Sequence, residues 1–84
     1  MPYIKLEQQA AIDANMKAVH CPGDLNYAIT AICIDYMELK TPKTPIYATL
    51  NEIIGALECA KLEFYRRKLV PYEEEAMKRN GDVY

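Results

Sequence analysis

Thr49-Leu50-Asn51-Glu52-Ile53-Ile54-Gly55-Ala56-Leu57-Glu58-Cys59-Ala60-Lys61-Leu62-Glu63-Phe64-Tyr65-Arg66-Arg67-Lys68-Leu69-Val70 is the stretch on which the fold turns. Leu50, Ile53, Ile54, Leu57, Ala60 and Phe64 recur at helical spacing and draw one apolar face. Thr49, with Glu52 three residues later, reads as a Thr-x-x-Glu capping box that opens the helix. Between Leu50 and Val70 the only breaker is Gly55, so the spacing predicts a rod of roughly 30 Å at about 1.5 Å per residue. Pro71 has no amide hydrogen to donate and predicts a kink or an interruption. The pattern then resumes through Arg79 and stops at Asn80-Gly81, where glycine suits a left-handed cap.

Lys61 breaks the apolar pattern. An ammonium buried without a partner is costly, so Lys61 has to be paired, exposed at an interface, or directed at a ligand. Glu58, Lys61, Tyr65, Lys68 and Tyr72 follow 3, 4, 3, 4 spacing, which keeps them on one seam of the helix. As a pocket rim, that seam offers cations for phosphate and rings for stacking on bases. As an ordinary helix edge, Lys61 reaches past Phe64 and pairs with Glu58. Gly55, Leu62 and Leu69 lie on another side, where a missing Cβ lets a second helix approach, and are expected at an interface.

Upstream, Lys40-Thr41-Pro42-Lys43-Thr44-Pro45 reads as a loop, because its prolines withhold donors and restrict the residues before them. Before it lies a second helix, Leu25 to Leu39, with Asp24 as the expected N-cap. Leu25, Ile29, Ile32, Tyr36 and Leu39 form its main apolar stripe, and Tyr27, Thr30, Ile34 and Met37 occupy the opposite side. A helix apolar on both sides needs two covers. The second is either the first helix or a subunit interface through Tyr27, Ile34 and Met37. The first helix is expected from Leu6 to His20, with Ile12, Met16 and Val19 as its stripe, and Cys21-Pro22-Gly23 ends it. The expected fold is therefore all-α: a single domain over residues 1–84, three to four helices, the long third one interrupted near Pro71.

At 84 residues, folding hides only about 60–65% of the extended chain's surface, so an additional stabiliser is expected. Three cysteines, Cys21, Cys33 and Cys59, cannot all pair and show no short metal-ligand spacing with His20, the single histidine. Neither a disulfide framework nor a metal is expected, and self-association is left as the stabiliser. A net charge of −2 gives no cationic field for nucleic acid. The chain contains no serine for His20 to activate and no phosphate-cradling loop, so catalysis and cofactors are not expected. No apolar run approaches membrane-spanning length, and no signal-like segment opens the chain; a reducing cytoplasm is expected.

Pro22-Gly23-Asp24-Leu25-Asn26-Tyr27-Ala28-Ile29-Thr30, then Asn51 through Arg67, Pro71-Tyr72-Glu73 and the closing Asn80-Gly81-Asp82-Val83-Tyr84 resemble a family of small uncharacterised proteins from phages, prophages and their bacterial hosts. Met1-Pro2-Tyr3-Ile4 is similar too, whereas Lys5–Val19 and the proline loop match less well. The resemblance implies a mobile-element origin and action in the cytoplasm of the host bacterial cell. It carries no activity onto individual positions. Small acidic phage proteins without catalytic motifs often inhibit host defence, which makes two readings concrete. In the first, a homo-oligomer sequesters a nucleotide-type small molecule on Glu58, Lys61, Tyr65, Lys68 and Tyr72. In the second, the chain is a protein-binding inhibitor or assembly factor acting on a host or phage protein.

Overall fold

The computed structural model of this chain describes residues 5–41, 43 and 46–84. They form an all-α structure of four α-helices, α1 (Leu6–Ala14), α2 (Pro22–Lys40), α3 (Tyr47–Phe64) and α4 (Val70–Asn80). A 3-10 turn, Met16–Ala18, separates α1 from α2, and a π-helical turn, Tyr65–Leu69, joins α3 to α4. The chain packs as two units, Met1–Leu50 and Asn51–Tyr84. Thr44, Pro45 and Pro42 of the expected proline loop lie outside the described residues.

In the first unit α1 stops at Ala14, so the expected helix Leu6–His20 is two elements rather than one. Asn15 is the reason. Its backbone turns extended, and its Oδ1 accepts the Lys17 amide at 3.0 Å. A short amide side chain thus takes a donor that the helix would have used. α2 begins at Pro22, three residues ahead of the expected Leu25. Proline is preset for the first helical position, where its missing N–H would have had no partner anyway.

Asp24 is therefore not the N-cap, which is Cys21; it is the third residue of α2 and is 5% exposed. Its Oδ2 accepts Gln8 Nε2 at 2.9 Å and the His20 amide at 3.1 Å. Gln8 Nε2 also donates to the Ala18 carbonyl at 2.7 Å. One carboxylate and one amide thus fasten α1, the 3-10 turn and the start of α2 together.

α1 packs on α2 and contributes Ile12, which with Ala28 is buried. The covered face of α2 runs through Asp24 and Ala28, with Tyr27 and Ala31 half-buried. Of the expected main stripe, Leu25, Ile29, Ile32 and Leu39 are exposed and Tyr36 is half-buried. The helical period was right and the face was not, because a bonded pair, Gln8 and Asp24, sets how α1 lies and small alanines let it approach.

α3 starts at Tyr47, and Thr49, its third residue, is buried. The Leu50 amide already donates to Ile46 O at 3.2 Å, so Thr49 lies inside the helix and not at the expected N-cap position. From Asn51 onward the second unit follows one helical path. At Pro71 the ring would strike the carbonyl of Arg67 and leave it without a donor. The chain responds by widening the preceding turn: the Val70 amide donates to Tyr65 O, five residues back. The expected interruption near Pro71 is this π turn. The path ends where the Gly81 amide caps Met77 O at 2.8 Å, with glycine at φ 87°.

Removing the carboxylate should reveal how much the first unit rests on it. Asp24→Ala strands Gln8 Nε2 and the His20 amide and should destabilise that unit by about 2 kcal/mol, while Asp24→Asn, which keeps one acceptor, should cost less. Urea unfolding followed by circular dichroism measures this, and an alanine variant as stable as the parent contradicts the assignment.

Candidate functional site

The seam singled out in the sequence lies along the outside of the second unit: Glu58, Lys61, Tyr65, Lys68 and Tyr72 are all exposed. Lys61 Nζ stands 3.2 Å from Glu58 Oε1, with side chains 69% and 55% exposed. The pair is therefore a surface one and contributes little to stability. Tyr65 donates to Glu73 Oε1 at 3.4 Å. In a regular α-helix, residues eight apart point about 80° away from each other; the π turn removes that offset. Glu63 accepts from Arg66 Nη2 at 2.6 Å and from Arg67 Nε, and these two bonds hold its carboxyl below the usual carboxylate range.

Of the expected interface residues, Gly55 faces open space: a Cβ built there meets nothing within 4 Å. Leu62 and Leu69 are exposed, and Leu69 closes the π turn. Tyr27 and Met37 are half-buried, and Ile34 is exposed.

Tyr27 and Ile34 belong to a feature that the sequence did not reveal. A groove of about 450 Å³ runs between the end of α1 and the middle of α2, lined by Ile12, Asp13, Met16, Tyr27, Ala28, Thr30, Ala31, Ile32, Ile34 and Asp35. Its lining is mostly apolar, and its two charged lining residues are both acidic. Asp13 and Asp35 were passed over because they interrupt apolar patterns on different helices. The available signal was that Ala31 follows Tyr27, and Asp35 follows Ala31, at the four-residue spacing that keeps neighbours adjacent along a helix. The Tyr27 hydroxyl donates to both Asp13 oxygens, at 2.9 and 3.2 Å. That hydrogen bond raises the Tyr27 pKa above its ordinary value, followed by burial and by the charges of Asp13 and Asp35. None of the five seam residues lines this groove.

His20 commits its backbone amide to Asp24, and the neighbouring Cys21 is an exposed free thiol. Among the described residues, no group of three or more His, Cys, Asp or Glu is placed to hold a metal ion. No helix among them is long and apolar enough to cross a membrane.

Comparison with known proteins places the chain in a family. It belongs to the one described as Domain of unknown function (DUF6899), which matches residues 1–83. No curated protein and no solved structure matches.

The Tyr27–Asp13 bond makes a direct spectroscopic prediction. A phenol with a raised pKa still holds the proton it donates to Asp13 at pH 10, and the stabilisation this gives the α1–α2 contact is lost as the pH climbs through the raised value. In an ultraviolet titration of tyrosinate, Tyr27→Phe should remove a component that titrates above the ordinary tyrosine value of 10.0, and Asp13→Asn should move that component to lower pH. A Tyr27 that titrates at the ordinary tyrosine value in the parent would be at odds with this bond.

Proposed function

We propose that this DUF6899 protein is a non-catalytic, phage-type protein-binding module, an inhibitor or assembly factor that counteracts host defence by occupying a protein surface. The observation that carries the reading is the groove on the first unit, whose mostly apolar lining includes the carboxylates of Asp13 and Asp35. Apolar area provides binding energy that depends little on salt, while like-signed carboxylates select what enters. The partner they favour is an amphipathic segment that carries apolar side chains beside lysine or arginine.

The sequestration of a nucleotide-type molecule draws less support from the same geometry. A phosphate in the groove would sit beside two carboxylates, which repel it. On the seam, Lys61 is paired with Glu58, and the cations and rings stand on a convex helix surface instead of around a cavity. Ligand pockets are concave and surround most of what they bind.

Titration calorimetry of the full chain against two amphipathic helical peptides, with the same apolar residues and either lysine or glutamate flanks, tests the proposal. The lysine peptide should bind and the glutamate peptide should not. Asp13→Asn combined with Asp35→Asn should weaken binding by about tenfold or more, equivalent to about 1.4 kcal/mol. A parallel panel of linear and cyclic nucleotides covers the competing reading: tight binding of one of them, lost in Lys61→Met without loss of fold, would replace protein binding with sequestration.

A further inference from the structure

Lysine and arginine bring the same charge to a carboxylate but different shapes. A guanidinium binds best through two parallel N–H bonds, one to each oxygen, whereas an ammonium is a point charge that a single oxygen satisfies. Which of them a carboxylate prefers therefore depends on whether both of its oxygens can be approached together.

At Asp13, in the groove of the first unit, that approach is already taken. The Tyr27 hydroxyl stands 2.9 Å from one Asp13 carboxylate oxygen and 3.2 Å from the other, so it is nearly equidistant from them and sits in the mouth between them. An ionised carboxylate has about four lone-pair positions. The inner ones face the mouth and meet the hydroxyl; the outer ones, one on each oxygen, point apart. Tyr27 is half-buried on α2, while Asp13 is exposed. The hydroxyl keeps its proton at neutral pH, because the bond to Asp13 raises its pKa, and burial and the charges of Asp13 and Asp35 act in the same direction.

We propose that Tyr27 makes the groove selective for lysine over arginine, by filling the mouth of the Asp13 carboxylate and leaving single-oxygen positions for the partner's cation. The inference rests on the groove being a docking site for a cationic amphipathic segment, and it names which cation that segment carries. A lysine ammonium loses nothing at such a position, since one outer lone pair of Asp13 suffices for it. An arginine has to give up the second of its paired bonds, or displace the hydroxyl and break the contact that ties α2 to α1. Both routes disfavour it. Asp35, the other carboxylate in the lining, attracts either cation through its charge, so the discrimination is assigned to Asp13. Tyr27 acts through Asp13 and is thus a positioning residue, and its mark is a ratio of two affinities.

Titration calorimetry of the full chain against two amphipathic helical peptides, with identical apolar residues and either lysine or arginine flanks, tests the selectivity. The parent should bind the lysine peptide about fivefold or more tightly, the loss of one charge-assisted bond in an exposed setting. Asp35→Asn should weaken both peptides and keep the preference, because Asp13 and Tyr27 stay as they are. Tyr27→Phe opens the mouth, retains the ring and should abolish or reverse the preference. Asp13→Asn removes the charge, spares the Tyr27 hydroxyl and should abolish the preference as well. A variant that merely loosened the fold would weaken both peptides and leave the ratio unchanged. Equal affinities in the parent, or a lysine preference that survives Tyr27→Phe, would overturn the inference while the groove stands as a docking site. If neither peptide binds, the docking site itself fails and the inference falls with it.

Discussion

The carboxylate of Asp24 is the constraint on which the arrangement of the first unit depends. It is buried, and a buried carboxylate is tolerated only where donors surround it. Gln8 and the His20 amide are those donors, and they come from both sides of the 3-10 turn. Satisfying Asp24 therefore fixes where α1 lies on α2 before much apolar area is buried. Among the described residues the apolar contribution here is small, with Ile12 and Ala28 the buried hydrophobic ones. A polar bond that must be made, rather than a large core, determines which face of α2 is covered.

That choice has a consequence for the surface. With α1 held over Asp24 and Ala28, the larger side chains Leu25, Ile29, Ile32 and Leu39 remain outside. The same placement carries Asp13, near the end of α1, to the Tyr27 hydroxyl and so builds the acidic side of the groove. Fold and site thus share one cause: the position of Gln8 on α1 sets both the covered face and the carboxylate that borders the binding surface.

Much of this was legible in the sequence, and the parts that were not have physical reasons. Helical period, the stop at Gly81 and the disturbance at Pro71 are local properties, written in spacing, in a positive φ that glycine accepts, and in a missing amide hydrogen. Lys61 and Glu58 were readable as a pair because three residues on a helix bring them together. The face of α2 was not readable, since period alone fixes a stripe without saying which side a neighbour takes. Asp24 was misread as a cap because its partners lie at Gln8, far away in sequence, and at His20, one residue outside the cap position. The groove escaped for a similar reason: Asp13 joins Tyr27 only once α1 and α2 have been brought together.

The two units solve the problem of a short chain differently. The first uses a satisfied carboxylate to hold a small core. The second offers no such bond: the Glu63 pairings with Arg66 and Arg67, and the pairing of Lys61 with Glu58, are all between exposed side chains, which compete with water and salt. A helix of about 30 residues can persist on propensity and such pairs, but its turns open easily when nothing packs against them. Pro71 then has a use beyond interruption. By forcing the π turn it swings Leu69 and Tyr72 towards the line of Phe64.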